Sequence, residues 1–213
     1  MSISDKLVTI AENEQKVHAA GAKSEYDRFW DDFQGNGGMH NYCYAFGYNR
    51  ISDVGYNPKH AINCTTASSS SAMGAFYNNS LLTDTKVPFY SNGMSIQYTF
   101  GNCTSLKTIR EVAVTPSTTY GNTFTGCTAL ENITFSGTIA QNGLDFQWST
   151  KLSRASIESI IAALSTTTSG KSITLSATAV RNAYGASAST DLGTYEPWTS
   201  VANTRRNWEI SVV

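Results

Sequence analysis

At 213 residues the chain has room for one extended repeat domain or two small globular ones, and it is long enough to bury a sizeable core. Charged residues make up 15% of it, against about 25% in ordinary globular chains, while 26 Ser and 26 Thr predict a neutral, hydroxyl-rich surface. A formal net charge of −1 supplies no basic stripe to displace counterions from nucleic acid or to hold anionic lipid, so neither is an expected partner.

Charge is nonetheless uneven, because residues 1–34 hold four Lys/Arg and seven Asp/Glu, which sets this segment apart. Met1-Ser-Ile-Ser-Asp-Lys6 leads into a charged amphipathic stretch without the apolar core of a signal peptide. No run of about 18 apolar residues predicts membrane insertion. Ser4 or Asp5 is placed to cap a helix that carries Leu7, Ile10 and Val17, with Ile3 one step earlier; positions 3, 7, 10, 14 and 17 alternate spacings of four and three, interrupted by Glu14. After Gly21 the same spacing resumes through Tyr26, Phe29, Trp30 and Phe33. Such a stripe either packs on the chain's own domain or serves attachment and homo-oligomerisation. Gln34-Gly-Asn-Gly-Gly38 ends the helix, since its glycines adopt positive φ readily, and a domain boundary is expected near residue 35.

Residues 35–75 read as an irregular N-terminal cap: Asn41 to Pro58 is rich in Tyr, Gly and Asn, and Thr65 to Ser71 is a Thr/Ser loop. Cys43, Cys64, Cys103 and Cys127 form no C-x-x-C pair and read as buried thiols. Cys43, His60 and Cys64 make a partial zinc set without a fourth ligand, so no metal or other cofactor is expected.

A repeat emerges over residues 76–152. Phe100, Cys103, Leu106 and Ile109 recur 24 residues on as Phe124, Cys127, Leu130 and Ile133, giving F-x-x-C-x-x-L-x-x-I. Phe76 and Leu82 form a weaker earlier copy with Asn79 at the Cys position, and Phe146 and Leu152 a degraded later one. Apolar positions recurring in register predict units that share one interior and depend on their neighbours. Ile109, Val112 and Val114, then Ile133 and Phe135, read as short parallel strands, with Leu and Phe filling the turns behind.

Past Leu152 helices should alternate with strands. Ser153 or Ser156 caps a helix carrying Ile157, Ile160, Ile161 and Leu164; Ser172 to Ser176 is a strand; Ala177 to Tyr184 is a helix ended by Gly185. Pro197 opens another helix, and Asn207 to Val213 closes as a strand that caps the stack. The predicted fold class is an α/β repeat: a leucine-rich-repeat solenoid with short parallel strands, strand-helix units over 153–213 and an N-terminal helix.

The F-x-x-C-x-x-L-x-x-I unit resembles the BspA-like (Treponema-type) leucine-rich repeat, whose units often read A-F-x-x-C-x-x-L-x-x-I. More widely, Tyr26-Asp-Arg-Phe-Trp30, Phe146-Gln-Trp148 and Asn207-Trp-Glu-Ile-Ser-Val-Val213 resemble small repeat proteins encoded by phages and prophages of gut bacteria. That resemblance implies a place among tail or virion components. The lack of a signal-peptide pattern favours a particle assembled inside the host over a bacterial surface adhesin.

Catalytic signatures are weak. His18 and His40 accompany no G-x-S-x-G motif, and Asp27, Asp31 and Asp32 read as a solvated helix face. No carboxylate pair suggests glycan cleavage. The expectation is a non-enzymatic binding module that contacts a host-surface glycan or protein alongside other virion proteins, with a purely structural spacer as the alternative. Candidate ligand-binding residues are Glu111, Thr115, Thr134 and Ser136 on the outward strand face, and the aromatic cluster Tyr42, Tyr44, Tyr48 and Tyr56.

Overall fold

The computed structural model describes residues 47–48, 61–64 and 72–213, which form a parallel-strand β-solenoid of about four turns followed by strands that alternate with helices. The helix expected over residues 1–34 lies outside the described residues, as do Tyr42, Cys43, Tyr44, Tyr56 and His60.

Strands β1 (Ile62–Asn63), β2 (Phe89–Tyr90), β3 (Thr108–Val114) and β4 (Asn132–Gly137) lie side by side in chain order, all parallel. The β3–β4 pair begins in the 24-residue register, Ile109 beside Ile133, then shifts so that Val112 faces Phe135. Arg110 and Glu111 therefore stand against Thr134 alone, the two-against-one count of a β-bulge. The extra residue explains why Ile109 and Val112, three apart instead of two, are both buried.

The turns behind the strands stack as regularly as the strands. Along Gly74, Phe76 and Asn78, every second N–H donates to the next rung, to Gln97, Thr99 and Gly101 carbonyls at 2.8, 2.8 and 2.7 Å. Tyr98, Phe100 and Asn102 repeat this toward Gly121, Thr123 and Thr125. Intervening N–H groups close local turns, as in Tyr77 to the Gly74 carbonyl and Gly101 to the Tyr98 carbonyl. This buried backbone is thus paired although it is neither helix nor sheet. The alternation needs a left-handed residue two places after each Phe, and the chain supplies Asn78, Asn102 and Gly126 at φ 57°, 58° and 75°, the residue types that tolerate that conformation.

Inside, Phe76, Phe100, Phe124 and Phe146 form one column. Successive rings stack at 5.5, 5.8 and 4.5 Å with interplanar angles of 7°, 9° and 17°. Leu82, Leu106, Leu130 and Leu152 are likewise buried. Cys103 and Cys127 are free and buried one rung apart, and each thiol donates to the preceding Phe carbonyl, Phe76 at 3.1 Å and Phe100 at 3.0 Å. Ser149 takes the same place in the next unit, donating to the Cys127 carbonyl at 3.2 Å.

At Phe146 the architecture changes, because the Phe position passes from a turn into a strand. β5 (Leu144–Phe146), β6 (Lys171–Leu175) and β7 (Trp208–Val212) form a second parallel sheet, in whose register Phe146, Leu175 and Val212 continue one column and Leu144, Ile173 and Ile210 another. Helix α1 (Arg154–Ala163) starts at Ser153, whose side chain caps it, and α2 (Ala177–Tyr184) ends at Gly185 in the left-handed conformation. Helix α3 (Glu196–Ala202) carries Pro197 in its first turn. α1 lies where a fifth strand of the first sheet would be: the Ile133 and Phe135 N–H groups donate to the Ser156 and Ser159 hydroxyls, each at 2.9 Å. Two serines thus satisfy an edge that would otherwise offer a template to another strand.

Candidate functional site: an aromatic file on the stacked turns

Of the residues singled out for the strand face, the structure brings two together and leaves two apart. Glu111 and Ser136, both half-buried, share a 2.5 Å hydrogen bond from the serine hydroxyl to the carboxylate. Thr134 is exposed beside the bulge. Thr115 sits past the end of β3, where its hydroxyl pairs with that of Ser117 at 2.9 Å and its N–H donates to Thr118 Oγ1. The neighbouring Arg110 reaches back one rung to Asp84 with two bonds, at 3.1 and 2.5 Å. Much of this face is therefore bonded to itself.

The turns present a different surface. Tyr48 and Tyr98 are 56% and 36% exposed, and the half-buried Tyr77 lies between them. Ring centroids are 5.7 Å apart from Tyr48 to Tyr77 and 5.9 Å from Tyr77 to Tyr98, with interplanar angles of 76° and 88°. Faces and edges alternate, the arrangement that ring quadrupoles favour. Asn102 donates its side-chain amide to the Tyr77 hydroxyl at 3.5 Å.

Glycines on adjoining rungs make this file possible. A Cβ on Gly101 would approach the Tyr77 ring to 3.0 Å, and one on Gly47 would meet the Tyr77 carbonyl oxygen at 2.8 Å. Tyr48 and Tyr98 both have left-handed backbones, each at φ 58°. The positions equivalent to Tyr98 in the sister rungs are Gly74 and Asn122, at φ 62° and 52°. A bulky aromatic there stores strain of about 1–2 kcal/mol.

Tyr48 was among the aromatic residues expected to bind, whereas Tyr77 and Tyr98 were not. The signal that finds them is a departure from the repeat: Tyr77 aligns with Gly101 and Tyr98 with Gly74.

Burial pushes the Cys64 and Cys103 thiols up to about 12 from an ordinary 9.0 and raises Cys127 well above it. These sulfurs are packed as small apolar groups rather than poised for reaction. Among the described residues no group of three or more His, Cys, Asp or Glu is placed to hold a metal ion, and no helix is long and apolar enough to cross a membrane.

Fold and surface together define the chain as a parallel-strand β-solenoid with an aromatic file along its stacked turns. Compared with protein-family models, curated proteins and solved structures, it matches none.

Proposed function

We propose that the chain is a non-enzymatic binding module of a phage tail or virion, and that the Tyr48–Tyr77–Tyr98 file contacts a glycan on the host surface. The observation that carries this reading is Tyr98, an exposed aromatic in a left-handed conformation where sister rungs place Gly74 and Asn122. Strain of that kind persists where a side chain serves something other than folding. Rings spaced by about the width of a sugar, beside the Asn102 amide, offer apolar faces for pyranose C–H groups and a donor for hydroxyls.

In the same proposal the repeats are of the BspA-like leucine-rich type, a reading supported by the in-register burial of the Phe, Cys and Leu positions. The virion association rests on the resemblance to phage-encoded repeat proteins. An array of glycans and cell-wall fragments tests the function: the native chain should bind a subset, and Tyr77→Ala/Tyr98→Asn should lose at least tenfold in affinity. An array without a single captured feature, or undiminished capture by the double variant, would sink the proposal.

One observation favours the alternative, a rigid structural spacer. The strand face bonds to itself through Glu111–Ser136 and Arg110–Asp84, leaving it fewer free groups for a ligand. A spacer predicts unaltered host adsorption by particles that lack the chain, whereas a glycan-binding module predicts reduced adsorption.

A further inference from the structure

The apolar spine of the second sheet ends at a cavity. In the register of β5, β6 and β7, Leu144–Ile173–Ile210 and Phe146–Leu175–Val212 form two columns. Ile173 and Leu175 are buried, whereas Ile210 and Val212, with no further strand beside them among the described residues, are only half-buried. Their side chains line a cavity of about 370 Å³ walled by Leu192, Trp198 of α3 and Arg181 of α2. That size lies within the range of about 300–1,000 Å³ typical of small-ligand sites.

Arg181 is the unusual wall. Its Nε is fully buried and has no hydrogen-bond partner among the described residues. Neither of the ion pairs among the described residues, Arg110–Asp84 and Arg154–Glu158, involves Arg181. Asp191 lines the same cavity, but its carboxylate is held by its own loop, accepting the Gly193 N–H at 2.9 Å and the Thr194 hydroxyl at 3.4 Å. Arg181 as a whole is half-buried, so a ligand in the cavity meets its terminal guanidinium nitrogens and not the sealed Nε; a planar guanidinium is best satisfied by a carboxylate that takes two parallel N–H bonds.

We infer that this cavity is a second binding site, separate from the tyrosine file, for a small carboxylate with a compact apolar body. The head group pairs with Arg181, and the body lies on Ile210, Val212, Leu192 and Trp198, covering the last rung of the spine. The fixed Asp191 carboxylate sets the orientation, since a second anion is tolerated only toward Arg181.

The full chain, titrated with 3-phenylpropionate and followed by ¹⁵N–¹H correlation spectra of its backbone and indole N–H groups, tests this. Saturable shifts centred on residues of α2, α3 and β7 are expected in the millimolar range, with 3-phenylpropionamide at least tenfold weaker. Arg181→Gln should lose at least tenfold in affinity while its unshifted resonances stay native, and Arg181→Lys, which keeps the charge but not the fork, should fall between. Equal binding of acid and amide, undiminished binding by a natively folded Arg181→Gln, or no saturable shift would overturn the inference. None of these results depends on what the tyrosine file binds.

Discussion

Tyr98 sets a backbone cost against the binding role proposed for its side chain. Its left-handed backbone is one that asparagine adopts at far lower cost, as Asn122 does in the next rung. Tyr98→Asn should therefore raise stability by up to about 1 kcal/mol, read as a higher urea midpoint, while weakening glycan capture; an unchanged or lower midpoint would remove the strain argument. Gly137 is the converse, a position where only glycine fits. Its φ is 83°, and a Cβ there would lie 1.9 Å from the Val114 carbonyl oxygen, so Gly137→Ala should cost at least about 2 kcal/mol in chemical denaturation. The buried thiols give the chain an alkaline limit. Their folded pKa values are raised above the ordinary 9.0, so the native state holds protons that the unfolded chain releases, and the stability they contribute is fully present below pH 9.0 and fades toward pH 12. Urea midpoints measured between pH 8 and 11 should fall, and the slope should flatten in Cys103→Ala/Cys127→Ala. Cysteine burial was legible from the repeat, since equivalent positions in a stack share one environment. Tyr77 and Tyr98 were not, because they break the recurrence that marks the other positions.

Among the elements, α1 does more than lie on the solenoid. Its Ser156 and Ser159 hydroxyls accept the Ile133 and Phe135 N–H groups of β4, and Ser156 also donates to the Glu131 carbonyl at 3.1 Å. Replacing both serines by alanine leaves those N–H groups unsatisfied, which costs about 1–3 kcal/mol for each buried group. Hydrogen exchange is the sensitive readout: protection at Ile133 and Phe135 should drop more than at Ile109, and uniform protection would contradict a specific role for the serines. The helix and its cap at Ser153 were legible from spacing and capping chemistry. Edge satisfaction was not, because it depends on which strand α1 comes to rest against. Strands β3 and β4 were legible from the closely spaced apolar residues Ile109, Val112 and Val114 and then Ile133 and Phe135, whereas β1 and β2 are two residues long and pair Ile62 with Phe89, outside the 24-residue period. The transition at Phe146 was read as a degraded copy. There the column continues while the backbone around it changes from turn to strand, a switch that a side-chain pattern does not record.

At the scale of the whole molecule, stability comes from neighbours: each rung covers the apolar residues of the next, so a lesson drawn at one unit applies to those beside it. The Phe column is its clearest expression, with four rings stacked from Phe76 to Phe146, and the aromatic file outside exists only because those rungs lie in register. Cross-linking tests that register directly. Thr104 and Thr128 occupy the same place in adjacent units, the Thr128 hydroxyl reaching the Thr104 carbonyl at 3.4 Å, and Thr150 holds that place one unit further on. Adjacent rungs should lie about 4.8 Å apart, inside the Cα separation of about 4.4–6.8 Å that a disulfide requires, whereas positions two rungs apart lie beyond it. Under mild oxidation, mass spectrometry should find the 104–128 disulfide in Thr104→Cys/Thr128→Cys and none joining 104 to 150 in Thr104→Cys/Thr150→Cys. Absence of the first bond, or equal formation of both, would contradict the stacked solenoid on which the proposed binding surface depends.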